Sequence, residues 1–308
     1  MTEGTPLFRS GTVVLAGRPN AGKSSLVNRL VGSKVSIVSD KPQTTRNAIR
    51  SVLNGPFHQI VFVDTPGIHK AKSKLGTTLV HAAAASMDSA DLVCYIVEAG
   101  DRQIGSEDEE ILSILSGVKS PVLLVVNKSD LAGKGDFLTP VENIYGERIS
   151  TLAGAVPVSA RTGQGLDNLV ERMLTFLPEG PPLYDGDIFV DRPEKFLASE
   201  IIREKVLLLS HQEVPHSAAV EVEDYKSPDE YPERKVLYIR ATIYVEREGQ
   251  RRILLGEKGA RIKEIGRQSR LEIESFTGHR VYLDLWIKAR PGWKQSEADL
   301  RRLGIRES

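Results

Sequence analysis

The sequence predicts an α/β domain with a mostly parallel sheet, followed by a smaller α+β domain. Three observations carry this. Between residues 12 and 178, short runs that are apolar at nearly every position recur, with amphipathic stretches between most of them. Parallel strands covered by helices on both faces read this way. The polar run LPEGPPLYDGD (177–187), with three prolines and two glycines, then breaks the pattern as an interdomain linker would. Beyond it the order of elements changes. A chain of 308 residues suits about two domains. The expected division is 1–178, a linker at 179–187, and 188–308.

In chain order, the expected strands of the first domain are TVVLAG (12–17), HQIVFVDT (58–65), DLVCYIVEA (91–99), PVLLVVNK (121–128) and AVPVSA (155–160). KSSLVNRLVG and EDEEILSILSGV are two of the helical stretches between them. After the linker, a helix is expected at 194–210. It starts after Pro193 and carries Phe196, Leu197, Ile201, Ile202, Val206 and Leu209 on one face. Strands follow at 216–225 and 235–246. Next come the loop RILLGEKGARI (252–262) with its helix, a strand at 280–289 and a short basic helix at 296–304.

Composition narrows the functional classes. Apolar residues make up 40% of the chain and charged residues 27%, which is ordinary globular material. Forty-one basic residues balance forty-one acidic ones, so the chain is not coated in positive charge, although local patches are allowed. The single cysteine, Cys94, excludes a disulfide framework, fits a reducing compartment and sits in an apolar run as a core residue. No leader-like apolar segment and no run of membrane-spanning length is present, so a cytoplasmic protein is expected. The basic tail residues Arg290, Lys294, Arg301, Arg302 and Arg306 are a secondary candidate for peripheral contact with an anionic membrane. No coiled-coil seam is evident, and a monomer is expected.

The chemistry lies at the expected strand ends. Gly17-Arg18-Pro19-Asn20-Ala21-Gly22-Lys23-Ser24, followed by Ser25, fits G-x-x-x-x-G-K-[ST] between a strand and a helix. Its glycines let backbone N–H groups turn towards phosphates, Lys23 supplies charge to the β/γ-phosphates, and the Ser24 hydroxyl suits Mg²⁺. Asp64-Thr65-Pro66-Gly67 ends the second strand. The aspartate suits a Mg²⁺ ion through water, and Gly67 allows a backbone N–H close to a γ-phosphate. Asn127-Lys128-Ser129-Asp130 follows the fourth strand. The Asp130 carboxylate would accept two N–H bonds from guanine and oppose adenine, Asn127 would brace loops, and the Lys128 stem would lie over the base. At Ser159-Ala160-Arg161, the Ala160 N–H could meet the guanine O6.

In this order and spacing these motifs resemble the G1, G3, G4 and G5 motifs of translation-factor-type GTPases. Lys41-Pro42-Gln43-Thr44-Thr45-Arg46 resembles the switch I of the TrmE–Era group. The resemblance implies GTP as substrate, GDP as product, Mg²⁺ as cofactor and Thr45 as a Mg²⁺-binding threonine. Ile68 stands where Ras-like proteins place a water-orienting glutamine, so slow intrinsic hydrolysis is expected. Asn20, at the position of the P-loop asparagine of potassium-dependent members, makes K⁺ a candidate activator. Arg18, Arg46 and His69 are alternative sources of positive charge.

GEKG (256–259) lacks the G-K-[ST] ending and is too short to wrap two phosphates. Its narrow backbone instead suits a sugar–phosphate chain, as in KH modules. From Arg247 to Arg270, eight basic residues stand against three acidic ones, and no i,i+4 acidic compensation is evident. Residues 251–293 resemble a type II KH domain, and the likeness to the Era family of ribosome-assembly GTPases runs from the P-loop to Trp293. It implies binding to the 3′ end of small-subunit (16S) rRNA and a role in 30S subunit maturation. The candidate RNA-binding residues are Arg251, Arg252, Gly256, Glu257, Lys258, Gly259, Arg261, Lys263 and Arg267, with Glu257 departing from the small or basic residues that many KH loops carry.

Overall fold

The structure, a computed structural model, describes residues 7–39, 41, 44–67, 74–133, 135–210 and 214–305. Pro42, Gln43, Ile68, His69 and Arg306 lie outside these residues. The described residues form a six-stranded sheet in the order β2-β3-β1-β4-β5-β6 and a three-stranded sheet in the order β7-β8-β9. The first contains β1 (Arg9–Gly17), β2 (Ile49–Gly55), β3 (His58–Asp64), β4 (Leu92–Glu98), β5 (Val122–Asn127) and β6 (Leu152–Pro157). All its pairings are parallel except that of β2 with β3. The helices beside it are α1 (Lys23–Val31), α2 (Lys74–Asp88), α3 (Ser106–Leu115), α4 (Leu138–Gly146) and α5 (Leu166–Leu174).

Period-two alternation splits each central strand between two cores. On β4, Val93, Tyr95 and Val97 face α2, α3 and α4. Leu92, Cys94 and Ile96 face α1 and α5. This is why the strand reads as apolar at every position. Cys94 is fully buried, and burial pushes its thiol pKa up, as befits a core residue. β2 was not evident from sequence. It is an antiparallel edge strand whose apolar and polar residues do not form a continuous run, and only its hairpin with β3 defines it.

The second sheet contains β7 (Ala219–Lys226), β8 (Leu237–Val245) and β9 (Val281–Ala289), with β7–β8 antiparallel and β8–β9 parallel. Around it lie α6 (Glu194–Leu209), α7 (Val214–Ser217), α8 (Glu248–Leu255), α9 (Ala260–Thr277) and α10 (Glu297–Arg302). α6 and α9 pack against the sheet through Ile202, Val206, Ile265 and Ile273. The apolar run before GEKG is a helix, α8, rather than a simple lead into a loop. Only Leu254 of that helix is fully buried, and at eight residues the helix is too short to stand out from an apolar lead into the loop. Among the described residues, no helix is long and apolar enough to cross a membrane.

The proline- and glycine-rich segment is laced to the first sheet. Val190 bridges Ser51, and the Val52 N–H donates to the Phe189 carbonyl at 3.0 Å. The buried Gln59 side chain holds the segment further in. Its Oε1 accepts from the N–H groups of Leu183 (2.7 Å) and Tyr184 (2.8 Å), and its Nε2 donates to the Tyr184 carbonyl at 2.8 Å. Gln59→Leu keeps the volume but leaves these backbone groups unpaired. It is expected to lower stability by about 1–3 kcal/mol and to speed proteolysis within 179–187. An unchanged urea midpoint together with unchanged cleavage would contradict this role.

Candidate nucleotide pocket and RNA-facing loop

Parallel strands place β1, β3 and β5 with their C-termini on one rim, so motifs remote in sequence converge there. A pocket of about 330 Å³ is lined by Pro19, Asn20, Gly22, Lys23, Ser24 and Ser25, by Thr44 and Thr45, and by Gly67 and Lys128. Its walls are close-packed. A Cβ on Gly17 would lie 2.7 Å from the Ile96 carbonyl oxygen. Gly22 has φ +100°, and a Cβ there would fall 2.2 Å from Asn127 Nδ2. A Cβ on Gly67 would come within 3.0 Å of the Pro19 nitrogen. Asn127 is the brace between loops: its Nδ2 donates to the Ala21 carbonyl at 2.8 Å, and its Oδ1 accepts from the Ala160 N–H at 3.0 Å.

Lys23 is buried at the start of α1, and its Nζ donates to the carbonyls of Gly17 (2.8 Å) and Arg18 (2.9 Å). Burial lowers its pKa to about 8, with the charge of Asp64 opposing the shift. Asp64 is fully buried, and burial pushes its carboxyl pKa up against a hydrogen bond from Ser24. Ser24 Oγ donates to Asp64 Oδ2 at 2.7 Å and lies 3.0 Å from Thr45 Oγ1. Asp64 Oδ1 is buried with no hydrogen-bond partner. Two hydroxyls around a carboxylate with an unsatisfied oxygen form a hard, all-oxygen set that fits Mg²⁺. Ser24 and Thr45 would hold the ion, with Asp64 behind them. Thr65 and Pro66 are both buried, and Thr65 Oγ1 donates to the Leu15 carbonyl at 2.7 Å, which anchors the turn rather than presenting it to a ligand.

The base-reading corner is assembled as a unit. Asp130 Oδ1 accepts from Ser159 Oγ and Oδ2 accepts from Arg161 Nη2, both at 2.6 Å. The Ser159 hydroxyl, helped by the Arg161 charge, holds the Asp130 carboxyl below its ordinary pKa. A carboxylate kept ionised is what recognition of guanine N–H groups requires. Lys128 adopts a left-handed backbone (φ 60°), and its ammonium pairs with Glu98 at 2.7 Å. Of the alternative cations, Arg18 is tied to Asp101 at 2.8 Å and to Asp108 at 3.4 Å. Arg46 points away from the pocket. Its Nη1 donates to the Ala218 carbonyl at 2.7 Å, and its guanidinium lies over the Trp293 ring. Asn20 is exposed with φ 65°.

GEKG joins α8 to α9 with three of its four residues at positive φ. Gly256, Lys258 and Gly259 have φ of 69°, 49° and 80°. A Cβ on Gly256 would lie 2.9 Å from the Arg261 Cβ, so the loop is closed against the first turn of α9. Glu257 and Lys258 are exposed at its tip. The surplus of five positive charges between Arg247 and Arg270 already counts Glu248 and Glu264, and the structure shows where their carboxylates go. Arg251 pairs with Glu248, Arg267 with Glu264 and Arg270 with Glu274, mostly at i,i+3 spacing. Arg261 Nη1 donates to the Ile253 carbonyl at 3.3 Å. Among the described residues, Arg247, Arg252, Lys258, Arg261 and Lys263 stay outside ion pairs and carry the net charge of this face.

These two sites define a P-loop GTPase domain joined to an RNA-binding-type KH domain. Residues 12–128 match the family described as 50S ribosome-binding GTPase, and residues 213–294 match the KH domain family. GTPase Era of Geobacter metallireducens is 46% identical over 297 residues, covering 96% of this chain and 98% of that one. GTPase Era of Carboxydothermus hydrogenoformans is 43% identical over 300 residues, covering 97% and 99%. A crystal structure of Era in complex with MgGDPNP and nucleotides 1506–1542 of 16S ribosomal RNA is similar with TM-score 0.91 and 39% identity, covering 97% of this chain and 99% of that one. A variant of Aquifex aeolicus Era bound to GDP and AlF₄⁻ gives TM-score 0.90 and 39% identity, covering 97% and 100%. The chain belongs to the Era family of GTPases.

The buried lysine gives the pocket a pH dependence. A phosphate beside Lys23 favours its ammonium form, so binding raises the pKa from about 8. Affinity is therefore full below that value and falls as pH rises through it. The GDP dissociation constant is expected to be flat near pH 7 and to rise by up to about tenfold between pH 8 and 9. Lys23→Ala should bind weakly with no such slope. Equal slopes in the two proteins would refute the assignment.

Proposed function

We propose that this protein is a GTP-hydrolysing switch whose KH domain binds the 3′ end of 16S rRNA and which thereby assists maturation of the 30S subunit. The observation that carries the coupling is that both nucleotide-facing segments meet the second domain. Arg203 of α6 donates to the Thr44 carbonyl, one residue before Thr45, and Arg46 is buried against Ala218 and Trp293. Leu75 and Leu79 of α2, which follows the Asp64–Gly67 turn, share a core with Ala219, Trp293, Leu300 and Ile305. GTP, GDP and Mg²⁺ are its ligands, held by the residues described above.

The family that matches residues 12–128 is described by the large subunit, whereas the relative solved with 16S rRNA covers almost the whole chain. The KH domain lies outside the first match, so the relative that spans both domains is the better guide to the RNA partner. The division into 1–178, 179–187 and 188–308 belongs to the same reading. So does a monomeric unit, since switch segments and KH domain meet within one chain. Peripheral membrane contact receives less support. Arg290 pairs with Asp299 at 2.6 Å and Arg301 with Glu297 at 2.7 Å, leaving less tail charge for anionic lipid.

A ligand shifts an equilibrium only by its differential affinity for two states. Affinity for a fluorescent 16S 3′-terminal RNA should therefore differ severalfold between protein saturated with a non-hydrolysable GTP analogue and protein saturated with GDP. Lys23→Ala should abolish that difference. Equal RNA affinity in both nucleotide states of the wild type would sink the switch. K⁺ is the proposed activator through Asn20. GTP hydrolysis should run faster in KCl than in NaCl at equal ionic strength, and an identical rate would remove K⁺ from the mechanism.

A further inference from the structure

A second cavity, of about 800 Å³, opens between the β2–β3 hairpin, α2 and the segment that follows the linker. It shares no lining residue with the nucleotide pocket. Arg46, Arg50 and Arg192 line it, with Asn47, Tyr184 and Asp191. Among the described residues, none of these three arginines is within ion-pairing distance of a carboxylate, although most arginines elsewhere in the molecule are paired.

Each arginine has a different role in the cavity wall. Arg46 is only 3% exposed, yet its Nε has no hydrogen-bond partner. Glu200, the nearby carboxylate, is already bonded to Arg203. Arg192 is exposed and fixed by a hydrogen bond to the Ala48 carbonyl at 2.7 Å. Arg50 is exposed on the edge strand. Against them stands Asp191, which accepts from the Tyr184 hydroxyl at 2.8 Å.

Three cations and one carboxylate leave a surplus of two charges. We propose that this cavity is an anion site that takes a phosphate monoester, whose charge at neutral pH is close to two. An internal RNA phosphodiester carries one charge and complements the wall less well. Planar guanidinium groups suit the bidentate recognition of such an oxyanion. The phosphate would come either from a small phosphorylated metabolite or from the terminal phosphate of an RNA. Arg46 adjoins Thr45, so occupancy would also steady the switch segment in the arrangement seen here.

The test uses full-length protein saturated with GDP and Mg²⁺, which fills the P-loop pocket. Inorganic phosphate, 5′-phosphorylated tetrauridylate and 5′-hydroxyl tetrauridylate are titrated by calorimetry. Arg50→Ala and Arg192→Ala replace exposed side chains, and thermal melting checks that both variants fold. Saturable phosphate binding that each variant weakens by about tenfold or more is the expected result. Tighter binding of the 5′-phosphorylated RNA than of inorganic phosphate, lost in the variants, identifies an RNA end as the source. Comparable binding of inorganic phosphate identifies a metabolite. No saturable phosphate binding, binding unchanged in both variants, or equal binding of the two oligonucleotides that is lost in the variants would each overturn the proposal.

Discussion

Two adjacent residues, Thr45 and Arg46, tie the molecule together. Thr45 Oγ1 lies 3.0 Å from Ser24 Oγ, at the oxygen cluster suited to Mg²⁺. Arg46 is buried in the second domain, bonded to Ala218 and stacked over Trp293. Consecutive Cα atoms are about 3.8 Å apart, so neither side chain can leave its site without pulling on the other. Burying a guanidinium is costly unless its donors find partners. That cost favours the arrangement in which the KH domain supplies a carbonyl and an aromatic face.

Two further ties run in parallel. α2 contributes Leu75 and Leu79 to the core around Trp293, so this helix of the first domain is also held by the second. On the other side, Lys34 pairs with Glu204 at 2.6 Å and with Glu272 at 2.5 Å, while the Val38 N–H donates to Glu204 at 2.9 Å. Glu272 lies on α9, the helix that begins at the GxxG loop. At about 1.5 Å per residue, Ala260 and Glu272 are about 18 Å apart along a single rigid element. The RNA-facing loop and the switch I neighbourhood therefore sit at two places on one helix.

Much of the nucleotide pocket was legible because its chemistry is local. G-x-x-x-x-G-K-S specifies a loop by its glycines and a site by its terminal Lys and Ser. The strands carrying the motifs announce themselves through unbroken apolar runs. β2 and α8 were not legible in this way. β2 is an edge strand that only its hairpin partner defines, and α8 is only eight residues long and merges with the apolar run that leads into the loop. The net charge of the GxxG face was legible, but not that several of its arginines are tied to carboxylates of their own helices, because pairs such as Arg267–Glu264 form at i,i+3 and were sought at i,i+4.

The sequence by itself determined the class of each site. Residue identity at fixed short spacing decides whether a loop can bind phosphate, read a base or admit an RNA backbone, since those properties depend on glycine freedom and on donor type. Only the tertiary structure decided how the sites are joined. Arg46, Arg203, Glu272 and Trp293 are widely separated along the chain, and nothing local marks them as partners. Each meets its partner because the two domains pack against one another, and contacts of that kind are set by packing rather than by any pattern within a window of sequence.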